Sequence, residues 1–300
     1  MAALLESLSG AVDAVIVNDN SIGPSQNEPT LRASRFGRND RLFVDRSPFV
    51  DFSTARNHCL KLHERVGAGS WVAFVDADEV HGETVRRIAR NLDAVLQTYD
   101  FVDAYTWHFF QSFDLYTSIE RRMAFFRFKP GARWEGSVHE HLRGLGGARL
   151  VLPYVYAHYG HVLPVRRHAE KQRLYASLGQ RVEVVPEEEL GELDPEPYFV
   201  AVWPAALRFR GAHPLAARTV VAALRAEYAE EQARAAKLAR TQSLGAPASF
   251  LDYRLQLRQM RRRPLRAWHG ASSSAPRAEF RQTHKRRTAA ESFRSLRGRG

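Results

Sequence analysis

The stretch WVAFVDADEV, Trp71 to Val80, constrains this chain more than any other. An apolar run of strand-like residues ends in Asp76, Asp78 and Glu79. An unpaired carboxylate inside a core is costly. The run must therefore be buried while its acidic end lies where a counter-charge can reach it. A divalent cation is the first candidate for that charge. Hard cations such as Mg²⁺ take oxygen ligands, often one or two carboxylates plus phosphate oxygens. Side chains at i and i+2 of a strand share a face, so Asp76 and Asp78 face one site if strand geometry persists to the end.

The flanking sequence sets this run in an alternating order. Residues 2–8 read as a short helix and DAVIVND (13–19) as a buried strand ending in Asp19. RLFVD (41–45) is a second strand. DFSTARNHCLKLHERV (51–66) reads as a helix with Asp51 or Ser53 as its N-cap. After the acidic run, GETVRRIARNLDAVLQTY has an amphipathic period, with Val85, Ile88, Leu92, Val95 and Tyr99 on one face. DAYTWHFF (103–110) follows as a strand. This order predicts an α/β fold with a mostly parallel sheet and helices on both faces. Parallel α/β sheets bind ligands beyond the carboxyl ends of their strands, where the acids sit.

From about 111 to 160 the pattern changes to short aromatic strands separated by Gly and Pro: MAFFRF, ARWEGSVHEHL and ARLVLPYVYAHYG. Added antiparallel strands and loops are expected there. Beyond 164 the chain reads as helical, through VRRHAEKQRLYASLGQRV and PLAARTVVAALRAEYAEEQARAAKLAR. The end is basic and poor in apolar residues, the composition of a disordered tail.

The net charge does not argue for a basic nucleic-acid groove in the body, though it leaves one open. The net charge is +11, but residues 251–300 hold 14 Lys/Arg against 3 Asp/Glu. The first 250 residues hold 30 of each, a net of zero. The segment YRLQLRQMRRRPLRAW (253–268) interleaves Arg with apolar residues and suits a helix on an anionic membrane. A single cysteine, Cys59, rules out an intrachain disulfide and argues against a cysteine zinc site. Its apolar helical neighbours read as a buried, inert thiol. The start lacks a signal-peptide pattern, and no run of about 18 apolar residues is present to span a bilayer. The expected location is cytoplasmic, with the tail as the route to any peripheral membrane contact.

Further segments stand in order around the acids: NDNS at 18–21, FSTARN at 52–57, FVDADE at 74–79 and WEGSVHE at 134–140, with AHYGH closing the set. Together they resemble a family 2 glycosyltransferase of GT-A fold, in the subgroup with FxDADE and WxGxxHE segments. The resemblance covers about residues 1–180. It implies a catalytic domain over 1–165, a helical extension over 166–250 and a basic tail over 251–300. The implied reaction is metal-dependent, inverting transfer of a sugar from a nucleotide diphosphate to an acceptor hydroxyl. UDP-sugars are the expected donors, with dTDP and GDP sugars as alternatives, and the acceptor is a glycan, lipid or protein.

The resemblance also implies roles. Asp19 holds the base and ribose, Arg56 and Asn57 line the donor pocket, and Asp76 lies near ribose and metal. Asp78 holds Mg²⁺ or Mn²⁺, with His158 or His161 as the late histidine near the metal. Trp134 lines the sugar site, Glu140 is the base, and His139 stands beside it. Each has a bland alternative: Asp19 as a turn residue, Arg56 and Asn57 as exposed helix residues, Trp134 as core, the histidines as structural. The acidic end itself reads alternatively as a solvated loop. It also fits a phosphatase-like DxDxV with Lys129 or Lys171, but the second acidic pair that chemistry needs is missing from the sequence.

The family normally opens with a strand before its first helix, whereas residues 2–8 already read as that helix. A start codon placed too late, a truncation with lost activity, or a partner-supplied strand would each account for this. The alternatives to the enzyme are a catalytically impaired binding relative and a tail-driven binder of nucleic acid or anionic membrane.

Overall fold

The computed structural model describes residues 1–65, 67, 71–182, 184–190 and 207–233. The basic tail, the last seven residues (234–240) of the helical reading from 214, and other parts of the 166–250 extension lie outside these residues. The chain is α/β, with the helices and strands interleaved along the first half.

Helix α1 (Ala2–Leu8) turns Ala3, Leu4, Leu5 and Leu8 inward. Strand β1 (Val15–Asn18) pairs in parallel with β2 (Leu42–Asp45). Between them lie two short helices, α2 (Glu28–Ala33) and α3 (Arg35–Arg38). Leu31 and Phe36 from these helices join the α1 leucines in one apolar cluster, with Val15, Val17 and Val75 packed against it. Helix α4 (Phe52–Arg65) is capped by Asp51, whose Oδ1 accepts the Thr54 N–H at 2.6 Å.

A second sheet carries the rest. Its strands are β3 (Trp71–Ala73), β4 (Glu79–Val80), β5 (Tyr99–Phe110), β6 (Ser112–Arg127), β9 (Ala148–His161) and β10 (Leu207–Arg208). The order is β10-β6-β5-β9-β4, with β3 also on β6. A separate ribbon joins β7 (Arg133–Glu135) to β8 (His141–Arg143). The sheet is mixed rather than mostly parallel: β5 runs parallel to β9, while β5–β6, β3–β6, β10–β6 and β4–β9 are antiparallel. Gln111, at φ 61°, makes the tight reversal between β5 and β6, so the antiparallel strands expected from about 111 begin as a hairpin on β5. Pro153 sits at a register break between β5 and β9, where its missing N–H costs no regular ladder bond.

Three sequence boundaries shift. The expected long helix over 82–99 is only α5 (Thr84–Arg90) and a 3₁₀ turn at Leu92–Ala94, because β5 begins at Tyr99 rather than at 103. The aromatic segment near 123–128 belongs to one 16-residue strand, not to a short one. The apolar run from Trp71 leaves its ladder after Ala73.

Helices do cover both faces. Neighbouring strand residues point to opposite sides. Val102 and Phe125 pack with Val85 and Ile88 of α5, while Phe101 and Phe126 pack with Leu60 of α4 and with Trp134. Helix α6 (Val165–Ser177) follows β9 directly, and α7 (Arg218–Glu227) adds Val221 to a third cluster around Phe109 and Phe113.

His81, between β4 and α5, is 3% exposed and stacks on Tyr154 and Tyr156. Its Nδ1 lies 3.0 Å from the Tyr154 hydroxyl. Burial lowers its pKa to about 3. The unfolded chain gains that proton near pH ~6.5 while the folded state refuses it. Its stabilising share is therefore complete above pH ~6.5 and falls as pH drops toward the folded value, at about 1.4 kcal/mol per pH unit. Calorimetric melts between about pH 7 and about pH 5 are expected to show a shallower pH dependence in His81→Gln than in the wild type.

Candidate functional site

Strand β3 delivers the acids by ending. Phe74 N–H still reaches Ala124 O at 3.0 Å, and then the chain turns, with Glu79 N–H donating to Asp76 O at 3.0 Å. The acids thus occupy a tight turn between β3 and β4, not an extended strand. The i, i+2 argument fails for that reason, and Asp76 and Asp78 meet different partners.

Asp76 faces arginines. Its Oδ1 accepts from Arg56 Nη2 at 3.0 Å, and its Oδ2 lies 3.7 Å from Arg122 of β6. Arg56 of α4 also contacts the Glu140 carboxylate. Its guanidinium carbon stands 4.5 Å from the Phe74 ring centroid and 5.2 Å from that of Trp134. Burial works against the Arg56 charge and lowers its pKa, while Asp76 acts to restore it. Glu79 is 2% exposed, accepts the Asp76 N–H at 3.1 Å, and lies 3.4 Å from Arg122. Burial, then the Asp76 charge, pushes its pKa well above the usual carboxylate range.

Asp78 faces β9 and α6. Its Oδ1 lies 3.4 Å from His158 Nε2, and its Oδ2 lies 3.9 Å from Lys171 Nζ. Burial alone would raise its pKa, but His158 and Lys171 outweigh burial and hold the carboxyl well below its ordinary value. Lys171 also donates to Gly160 O at 3.0 Å. Tyr175, one helical turn on, has its phenol pushed up to about 12 by burial and then by the charges of Asp78 and Asp76.

The remaining expected residues divide. Asn57 donates to Trp134 O at 2.9 Å and accepts the Trp134 N–H at 2.8 Å, clipping β7 to α4. Trp134 is 6% exposed and packs 4.6 Å from Phe74, so it sits in the core beneath Arg56. Glu140 joins the cluster through Arg56, whereas His139, at φ 57°, is exposed. Asp19, buried at the end of β1, accepts from the Ser21 hydroxyl at 2.6 Å and lies 3.9 Å from Arg46, apart from the arginine cluster. Burial acts to raise its pKa, but the Ser21 and Ser25 hydrogen bonds leave it lowered. His161 meets His168 at 3.2 Å rather than Asp78. Cys59 is half-buried rather than fully buried as expected, and burial raises its thiol to about 11. An open groove of about 590 Å³ bordered by Val12, Arg35, Arg41 and Arg90 contains none of these residues.

Sequence reading missed Arg122 and Tyr175 and placed Lys171 only in the phosphatase alternative. His168, Lys171 and Tyr175 stand at i, i+3 and i+7, a legible helix face. Arg122 carries no such signal, because its approach depends on the β3–β6 register.

The donor chemistry at Asp78 fits a divalent cation. Among the described residues, Asp78 Oδ1 is buried without a hydrogen-bond partner, and an imidazole nitrogen stands beside it at 3.4 Å. Among the described residues no three His, Cys, Asp or Glu side chains converge as a closed metal cage. An open protein pair is the arrangement that leaves room for phosphate oxygens. Asp76 is committed to arginines and does not complete the pair. No known family model matches this chain, and no curated protein matches it significantly.

Gly160 is the wall of the Asp78–His158 pair. A Cβ there would overlap Asp78 Oδ2 and come within 2.7 Å of His158 Nε2. Gly160→Ala is expected to cost about 1–3 kcal/mol in chemical denaturation. Gly146→Ala, where a Cβ meets nothing within 4 Å, is expected to change stability by no more than ~0.5 kcal/mol.

Proposed function

We propose that the chain is a metal-dependent, inverting glycosyltransferase of GT-A type that moves a sugar from a nucleotide diphosphate, foremost a UDP-sugar, to an acceptor hydroxyl. The observation that carries this reading is the pairing of Asp78 with His158 beside three cationic side chains, Arg56, Arg122 and Lys171, at the turn after β3. Such a cluster matches a ligand that combines a divalent cation with a diphosphate.

Asp78 and His158 would hold Mg²⁺ or Mn²⁺, and the imidazole donor favours Mn²⁺ because Mg²⁺ demands oxygen. The bound cation would offset the negative charge on the departing diphosphate. Arg122 and Lys171 supply further positive charge from β6 and α6. Glu140 is the base in this reading: it takes the acceptor hydroxyl proton as the oxygen bonds to the anomeric carbon. The anomeric carbon–phosphate oxygen bond breaks on the opposite face, and the nucleoside diphosphate leaves with that electron pair. Arg56 orients Glu140 and keeps it beside Asp76. Asp19 would take the ribose or base from the end of β1.

One observation favours a second reading, an impaired relative that binds without transfer: Asp76 and Glu140 both engage the same guanidinium. A nucleotide that displaces neither leaves the base committed to Arg56.

A thermal-shift panel of UDP-, dTDP- and GDP-sugars with and without Mn²⁺ tests both. A nucleotide-dependent rise in melting temperature that requires Mn²⁺ is expected in the wild type and is expected to vanish in Asp78→Ala. Equal shifts in Asp78→Ala refute the cation assignment. Glu140→Gln is expected to bind the donor while losing about 10²–10⁴-fold in transfer rate. Wild-type binding without any transfer or donor hydrolysis selects the second reading.

A further inference from the structure

This inference rests on the cation site proposed at Asp78 and His158. His158 of β9 and His108 of β5 are directly opposite in the parallel ladder. Their ring centroids are 4.8 Å apart, and the two Nδ1 atoms are 3.1 Å apart. At the outer ends of this imidazole pair stand two carboxylates. His158 Nε2 lies 3.4 Å from Asp78 Oδ1, and His108 Nε2 lies 3.6 Å from Glu120 Oε2. Among the described residues, His108 Nε2 is itself buried without a closer hydrogen-bond partner.

Two nitrogens in hydrogen-bond contact need one proton between them, so one Nδ1 carries hydrogen and the other a lone pair. An imidazole that ligates a cation through Nε2 must carry its proton on Nδ1. His158 then donates to His108, and His108 Nδ1 must be bare. That places the proton of His108 on Nε2, directed at the Glu120 carboxylate. The alternative direction would set a lone pair of His108 against that carboxylate. The Glu120 contact therefore agrees with the proton order that a cation between Asp78 and His158 Nε2 requires; with no cation there, the Asp78 carboxylate attracts the Nε2 proton of His158 and favours the reverse order.

We infer that His108 is a positioning residue for the cation site: it accepts the Nδ1 proton of His158 and so aims the His158 Nε2 lone pair at the space beside Asp78. Partners of this kind fix tautomer and ring orientation at metal-binding histidines and are worth about 10–100-fold in metal affinity. No motif marked His108 in the sequence; the β5–β9 register brings it into place.

The test measures Mn²⁺ affinity of the full chain by water-proton relaxation, without substrate. His108→Phe keeps ring volume and removes the acceptor, and is expected to weaken Mn²⁺ binding about 10–100-fold. His108→Gln restores a carbonyl acceptor and is expected to recover most of that loss, which volume alone would not achieve. ¹⁵N-resolved imidazole spectra of the wild type saturated with Zn²⁺ are expected to show the His158 proton on Nδ1. This last measurement needs no variant, so it stands even where His108→Phe does not fold. Wild-type Mn²⁺ affinity in His108→Phe, or a His158 proton on Nε2 in the Zn²⁺-bound chain, overturns the inference. Asp78→Ala separates the two levels. If it abolishes Mn²⁺ binding while His108→Phe does not weaken it, only the role of His108 falls. If it retains full Mn²⁺ binding, the cation site itself falls, and His108 with it.

Discussion

The guanidinium of Arg56 is the point on which the site is assembled. A charged group taken out of water is tolerable only with partners, and Arg56 has them on every side. Asp76 comes from the turn after β3, Glu140 from the end of the β7–β8 ribbon's connection, and Phe74 and Trp134 supply ring faces. Two segments distant in sequence are thereby tied to one helix. Asn57, the next residue on α4, repeats the tie through the Trp134 backbone, and Ser53 adds a third through Gly136 O. The ARN segment is therefore a structural clamp as well as a site element. Its fixed position decides where the Glu140 carboxylate stands.

The mixed sheet explains why the acids diverge. Had the run from Trp71 stayed extended through Asp78, both acids would have shared one face. The turn from Asp76 to Glu79 instead sends the chain into β4, which pairs with β9 at Ala157 and His158. That pairing brings Asp78 to the imidazole. The same turn leaves Asp76 beside Arg122, which β6 presents from across the β3 ladder. One local reversal thus divides the acids between an arginine pair and an imidazole–lysine pair.

Much of the framework was legible because it rests on local signals. Helix α1 follows its leucines, Asp51 caps α4 as its position before the helix requires, and β1 and β2 are short apolar runs bounded by polar loops. The expected alignment of the sheet was not legible. Strand direction depends on connections: antiparallel strands were expected after about 111, but not that β3 and β4 would join that antiparallel sheet rather than a parallel one. At the site, the sequence named Asp78, His158 or His161, Arg56 and Glu140 without pairing Arg56 with Glu140, and the structure brings Asp78 to His158 and Arg56 to Glu140. It did not separate Asp76 from Asp78, since that depends on where the strand stops. Trp134 and Asn57 look like ligand-facing residues in a motif, yet their observed contacts are with core and backbone. His108 and Arg122 are invisible to spacing arguments, because both arrive through strand register.

Charge decides how such a cluster can change state. With no ligand, each acid has a basic neighbour: Asp76 has Arg56 and Arg122, Glu140 has Arg56, and Asp78 has Lys171 beside His158. A diphosphate arriving alone would place negative charge beside carboxylates whose counter-ions are already engaged, at a Coulombic cost that grows as water is excluded. A divalent cation arriving alone would meet Lys171 across Asp78. The two together bring nearly balancing charges. On the proposed reading, a cation that takes over Asp78 leaves the Lys171 ammonium free to turn to a phosphate oxygen. The cluster then exchanges one set of ion pairs for another without a net buried charge. On the proposed reading, this linkage would make donor and cation binding mutually dependent, each strengthening the other by the same factor.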